Sequence, residues 1–207
     1  MAERTVVTKV SNAVLYSDGS IKIENVRISF PHIGTPNEQK NDAGEIEKSY
    51  GLVAMLPKLS HSAAKDLVKK AIQKICTDND AKVATDKWFL ADGDEKERDE
   101  YQSHFVISAS DRKNRPSARH KNGSAMTPDE ADNLFYGGCW ANVLIRPWYF
   151  NGKAKNGKTY PKRVCAGLVA IQFHHDDEPF GEGRIDDDGV FDAVDDNGFT
   201  DDDDDGL

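Results

Sequence analysis

Alternation of apolar and polar side chains is strongest in residues 138–173. Two arms rich in β-branched and aromatic residues flank a polar Gly/Lys/Asn segment there. Period-two alternation with Asn-Gly pairs between the arms predicts a long antiparallel hairpin. On the first arm Cys139, Ala141, Val143 and Ile145 share one small, apolar face, suited to a core. Trp140, Asn142, Leu144, Arg146, Trp148 and Phe150 share the other. Residues 21–30 alternate as well, but parity shifts between Ile23 and Val26, which predicts a strand with a bulge near Asn25. Residues 50–56 form a continuous apolar run that reads as a buried strand, and residues 104–110 an alternating one. In residues 60–76 the period changes: Leu67, Val68, Ala71, Ile72 and Ile75 fall on one helical face. Lys65, Asp66, Lys69, Lys70, Gln73 and Lys74 fall on the other, a solvated face. Thr127-Pro128-Asp129-Glu130 is a capping box with proline at the first helical position, so a short helix should run through Phe135 and stop at Gly137-Gly138.

The remaining segments lack such patterns. Residues 31–48 are polar with Gly and Pro and read as a loop. Residues 1–20 offer little beyond Val6, Val7 and Val10 and read as a flexible N-terminal arm. After His175 the chain turns to Asp runs and glycines with isolated Phe180, Phe191 and Phe199, too few to build a core. The expected organisation is therefore an arm over 1–20, one folded domain over 21–175 and a disordered acidic tail over 176–207.

Charge sharpens that division. The 207 residues carry a net charge of -9, yet residues 176–207 hold 15 Asp/Glu against Arg184 alone, leaving residues 1–175 at a net +5. Residues 101–175 hold 11 bases against 4 acids and 10 of the 18 aromatic residues, so basic charge and aromatic surface coincide. That asymmetry points to a nucleic-acid partner and an acidic interaction tail. Cys76, Cys139 and Cys165 are an odd number without metal-binding spacing, which argues for reduced thiols. With no apolar run long enough for a membrane span or a signal peptide, the expectation is a soluble protein inside the cell.

The outward face of the first hairpin arm sets aromatic planes beside a guanidinium, a poor core face but a good surface for stacking bases and holding phosphates. A sheet covered on both sides would bury the same aromatics. Trp140, Trp148, Phe150, Tyr160 and Tyr50 are the candidate stacking residues. Arg112, Lys113, Arg115, Arg119, Arg146, Lys153, Lys155, Lys158, Lys162 and Arg163 are the candidate phosphate contacts. Five cations within residues 111–121 cannot be buried unpaired and must face water or a polyanion.

Three other patterns carry competing chemistry. Gly152 to Thr159 fits the phosphate-loop pattern GxxxxGK[ST], but Tyr160-Pro161 and a β-rich run follow. No helix can start there with its amides aimed at phosphate, so a hairpin tip that embraces a backbone is the better reading. Asp92-Gly93-Asp94 is a turn signal, although the two carboxylates leave open a metal-dependent nuclease. His174-His175-Asp176-Asp177 does not converge on a metal in an extended chain, because adjacent side chains point to opposite sides. No nucleophile is paired with a base in any known spacing, so no enzyme activity and no cofactor are expected.

With these residues in place, the chain resembles phage-encoded single-stranded DNA-binding proteins over about residues 21–191. The resemblance rests on residues 25–30 (Asn-Val-Arg-Ile-Ser-Phe), residues 50–58, Leu90 with Asp92-Gly93-Asp94, Arg115-Pro116, Tyr136-Gly137, and Ala166-Gly167-Leu168 through Gln172-Phe173. It implies a mainly β fold with α insertions: an OB-fold, the five-stranded partly open Greek-key barrel, with a long hairpin and one or two helices. It also implies binding to single strands without sequence preference during phage replication or recombination in the cytoplasm of an infected bacterium. Weak duplex DNA binding is a secondary expectation. The acidic tail, with Asp201, Asp202, Asp203, Asp204, Asp205 and Leu207 at its end, would bind phage replication proteins such as a polymerase or helicase. Related tails often end in an aromatic residue, whereas this one ends in Gly206-Leu207.

Overall fold

The structure, a computed structural model, describes residues 4–41, 44–154 and 157–181. Its elements are β1 (Val6–Val10), β2 (Ala13–Tyr16), β3 (Ile21–Lys40), β4 (Ile46–Pro57), α1 (Ser62–Asp78), β5 (Leu90–Asp92), β6 (His104–Asp111), β7 (Ser117–Arg119), α2 (Pro128–Leu134), β8 (Trp140–Phe150) and β9 (Arg163–His175). β3 pairs antiparallel with both β4 and β8, β4 with β6, and β8 with β9. A single parallel pair, Ala109 with Ala166, joins β6 to β9 and closes the ring. The order β3-β4-β6-β9-β8 is that of an OB-fold, whose ligands bind across its second and third strands and the two loops beside them. Here those strands are β4 and β6, and the loops join β3 to β4 and β8 to β9.

A 20-residue strand can serve two neighbours only if it bends. β3 does so at two irregularities. The pairing with β8 shifts between Ile23 and Val26, where Asn25 has φ 55° and donates its backbone N–H to Asn142 Oδ1 at 2.9 Å. The pairing with β4 shifts again after Ser29, where Phe30 has φ 50°. The first is the expected bulge; it keeps Ile21, Ile23, Val26 and Ile28 all inside the barrel. There they meet Leu52, Ala54 and Leu56 of β4, Ile107 and Ala109 of β6, the inner row of β8, and Val164, Ala166, Leu168 and Ile171 of β9. α1 adds Ala64, Leu67, Val68 and Ile72 to that core. His61, fully buried before α1, hydrogen-bonds through Nε2 to the Glu24 carbonyl at 2.9 Å and through Nδ1 to Ser60 Oγ at 2.8 Å. It ties the helix to the β3 bulge.

α2 begins at the expected capping box. Thr127 Oγ1 accepts from the Glu130 N–H, and the Glu130 carboxylate accepts from the Thr127 N–H at 2.7 Å. Asp132 then accepts the N–H groups of Gly34 and Thr35 on β3. A Cβ at Gly34 would lie 2.0 Å from the Pro128 carbonyl oxygen, so only glycine lets α2 dock this closely.

Three expectations are corrected. Residues within 1–20 are no loose arm: β1 and β2 form a hairpin, β2 pairs with β3, and Ala13 and Val14 are buried. Residues 31–48 are mostly strand, because β3 runs on to Lys40 and β4 starts at Ile46, with polar side chains along an extended ribbon. Phe180 belongs to the body. It packs on a second apolar cluster of Met55, Tyr101 and Val106, together with Val53 and Ala91. This cluster lies on the outer face of β4 and β6, since the alternate residues Ala54, Leu56 and Ile107 point inward.

Candidate nucleic-acid interface

β8 divides as its alternation predicts. Cys139, Ala141, Val143 and Ile145 are fully buried, and the other row faces outward. Burial pushes the Cys139 thiol up to about 11, so it stays protonated. Near the far end of β8, Trp148 is 47% exposed and meets Phe150 edge-on, with ring centroids 6.3 Å apart at 81°. The Arg163 guanidinium lies 5.6 Å from the Phe150 ring centre, its cross-strand neighbour. Opposite Trp148 stands Cys165, too small to cover an indole. Two aromatic planes, one exposed and one half-buried, and a guanidinium thus form one outward-facing cluster.

Beyond it the hairpin tip folds on itself. The Tyr160 N–H donates to the Gly152 carbonyl at 2.7 Å, Lys153 bridges Thr159, and Tyr160 is 40% exposed. Gly152 has φ +88°, and a Cβ there would lie 2.4 Å from the Tyr160 oxygen, so the tip requires glycine. The phosphate-loop lookalike is therefore a turn between antiparallel strands, with the amides of Gly157 and Ala154 bonded inside the turn. Lys153, Lys158 and Lys162 belong to this region, and Lys162 also borders an open groove with Cys76, Asp80 and Lys82. Lys155 lies outside the described residues.

Four other predicted cations, Arg112, Lys113, Arg115 and Arg119, lie past the end of β6, away from the hairpin tip. Tyr50 pairs with Asp111 where β4 meets the end of β6, and Arg112, Lys113 and Arg115 follow in an exposed loop. Asp111 Oδ1 accepts the N–H groups of Lys113 and Asn114 and shapes that loop. Arg112 reaches Glu47 at 2.8 Å, and Arg119 donates to the Gly123 carbonyl at 2.8 Å. Tyr50 itself is half-buried. Arg146 pairs with Asp18 at 3.0 Å, as does Arg4. Burial opposes ionisation of Asp18, but hydrogen bonds from Ser20, Arg4 and Arg146 outweigh it and hold the carboxyl well below the usual range.

Trp140 stands apart from Trp148 by eight residues along β8, about 26 Å at the rise of a strand. Its ring stacks on His175 at 5.4 Å and 13°, and its Nε1–H donates to Asp177 Oδ2 at 2.7 Å. One extra residue, His174, sits opposite the Trp140–Ala141 step. That irregularity turns the His174 and His175 rings together, Nδ1 to Nδ1 at 2.6 Å, correcting the expectation that they diverge.

Sequence reasoning missed aromatic–guanidinium pairs that involve Phe30 and Phe180. Phe30 is 48% exposed with the Arg98 guanidinium 4.6 Å from its ring centre. The left-handed backbone of Phe30 breaks the alternation that would have placed it in the core. Arg27, on the outer face of β3, lies 4.4 Å from the Phe180 ring centre. No periodic signal pairs residues 153 positions apart.

Asp92 and Asp94 do not present an open carboxylate pair. Both hydrogen-bond to the Lys58 ammonium, Asp94 at 2.7 Å. That bond, with the Ser103 N–H, lowers the Asp94 carboxyl. Among the described residues no group of three His, Cys, Asp or Glu is arranged to hold a metal ion. Nor is any described helix long and apolar enough to cross a membrane. The predicted tail residues Asp201, Asp202, Asp203, Asp204, Asp205 and Leu207 lie outside the described residues.

The chain is similar to several phage proteins. The family model for the Enterobacter phage Enc34 ssDNA-binding protein matches residues 19–205. Putative protein p50 of Acyrthosiphon pisum secondary endosymbiont phage 1 is 30% identical over 177 residues, covering 80% of this chain and 88% of its own. The single-stranded DNA-binding protein from bacteriophage Enc34, solved in complex with ssDNA, is 34% identical, with a TM-score of 0.77 over 87% of this chain and 100% of that one. A second structure of the Enc34 protein gives a TM-score of 0.75 over 92% of this chain and 99% of that one, again at 34% identity.

Proposed function

Because the chain belongs to the family of the Enterobacter phage Enc34 ssDNA-binding protein, we propose that it binds single-stranded DNA without sequence preference, as a non-enzymatic coat for strands exposed during phage replication or recombination. The observation that carries this reading is the recurrence of outward-facing aromatic rings with guanidinium neighbours around an OB barrel: exposed Trp148 beside half-buried Phe150 and its partner Arg163, and exposed Phe30 with Arg98. Bases stack on such rings at about 1–3 kcal/mol each, whatever their sequence. Cations at both ends of the β4–β6 face, in the 111–119 loop and the hairpin tip, follow the phosphates. The acidic C-terminal segment competes for this cationic surface and recruits phage replication proteins, such as a polymerase or helicase, once DNA displaces it. The site of action is the cytoplasm of the infected host.

The nuclease alternative is disfavoured by the Lys58 ammonium, which donates hydrogen bonds to both Asp92 and Asp94 and offsets part of their charge. Titration of labelled oligo-dT and of the matching duplex, with and without magnesium, tests the proposal. Saturable binding of the single strand, weaker binding of the duplex and no cleavage are expected. Cleavage, or binding of neither, would refute it.

A further inference from the structure

Residues 176–180 do not leave the body at the end of β9. Tyr136 Oη accepts the Asp177 N–H, and the Phe180 N–H donates to the Gly137 carbonyl at 2.8 Å. Phe180 lies on Met55, Tyr101 and Val106, on the outer face of β4 and β6. Arg27, the cross-strand partner of Met55, reaches over the ring. Its guanidinium stands 4.4 Å from the ring centre, while Nη2 donates to the Glu178 carbonyl at 2.8 Å and approaches Asp177 Oδ2 at 3.4 Å. The same carboxylate oxygen takes the Trp140 Nε1–H at 2.7 Å. The arrangement holds a flat ring against both a guanidinium and an apolar floor, with an anion beside it bound by an N–H and a positive charge.

We propose that this seat is a nucleotide subsite of the single-stranded DNA interface, filled by the chain's own residues 177–180 when DNA is absent. A nucleobase takes the place of the Phe180 ring under Arg27, and a backbone phosphate takes the place of the Asp177 carboxylate between Arg27 and the Trp140 Nε1–H. Both exchanges conserve the chemistry: stacking on guanidinium for stacking on guanidinium, and anion for anion. The location fits, since an OB-fold takes its ligand across its second and third strands. The occupant is displaceable, because Phe180 is only half-buried and Asp177 stays 41% exposed. Arg27 and Trp140 are thereby binding residues, with Trp140 acting through its N–H while its ring stays on His175.

The subsite rests on the single-stranded DNA-binding reading, so the test must separate the two. Hydrogen exchange of the Phe180 amide is measured in the full-length protein with and without saturating oligo-dT. Displacement predicts at least tenfold faster exchange with DNA bound; unchanged or slower exchange in a protein that does bind overturns the subsite alone. Failure of the protein to bind oligo-dT at all overturns both readings. As a second measurement, Phe180→Ala should bind oligo-dT about three- to tenfold more tightly than wild type, and adding Arg27→Ala should reverse that gain. Equal or weaker binding by Phe180→Ala, with the fold retained, would overturn the proposal.

Discussion

Trp148→Ala separates a stacking surface from a core residue. The indole is 47% exposed, and its ring contact is the edge-on pairing with Phe150. Such pairs contribute about 0.5–1.5 kcal/mol beyond burial. Losing about 1 kcal/mol in a domain of this size lowers Tm by about 2–4 °C. Stacking of one base contributes about 1–3 kcal/mol, so affinity for oligo-dT should fall by about 5- to 150-fold. The binding loss should therefore match or exceed the stability loss, the reverse of what a core tryptophan gives. Anisotropy of a labelled oligo-dT at fixed salt measures the first quantity, and urea unfolding the second. Fluorescence of the wild-type protein should also be quenched by oligo-dT as a base meets the indole. Unchanged affinity, or a Tm drop above about 10 °C, about the shift expected from losing 3 kcal/mol or more, would refute the assignment.

Three further outcomes are expected. Lys158→Ala should weaken binding slightly and reduce the slope of log affinity against log salt by about 0.7, one phosphate contact on a single strand, while ATP is neither bound tightly nor hydrolysed; micromolar ATP affinity lost in this variant would sink the hairpin-tip reading. Deleting residues 182–207 should tighten DNA binding and relax discrimination against duplex, most at low salt and less as the Debye length falls to about 8 Å; equal affinities at low salt would show that the segment does not visit the site. His61 and His174 are both held below the usual histidine range by burial, against opposing contributions from hydrogen bonds at His61 and from Glu24 at His174. Because the unfolded chain then binds more protons, stability should be complete above about pH 6.5 and fall as pH drops, by at most about 1.4 kcal/mol per unit for each histidine. Urea unfolding at pH 7.5 and 5.5 measures this; a flat profile would contradict it.

Period-two and period-3.6 signals carried most of the barrel. The β8–β9 hairpin, the bulge near Asn25, α1 and the capping box of α2 were legible because each is encoded within a few neighbouring residues. What escaped depends on distant partners. β1 and β2 are short runs of five and four residues, and their identity comes from pairing with each other and, through β2, with β3. The outer half of β3 and β4 is likewise exposed on its surface and reads as loop. Of the candidate site, the Trp148–Phe150–Arg163 cluster follows from alternation on two arms of one hairpin. The Phe30–Arg98 and Arg27–Phe180 pairs do not, since one needs a left-handed residue and the other a return of the chain across β4. Tail and body were divided by charge at residue 176, but the first aromatic residue of the acidic segment packs with the body.

The central claim is that this OB barrel holds single strands by stacking and phosphate contacts. Its most direct test is titration of the full-length protein into fluorescent oligo-dT and into duplex of equal length, across a series of salt concentrations. The account predicts saturable single-strand binding, weaker duplex binding and a linear loss of log affinity with log salt. Duplex bound as tightly as single strand, or no single-strand binding at low salt, would contradict it.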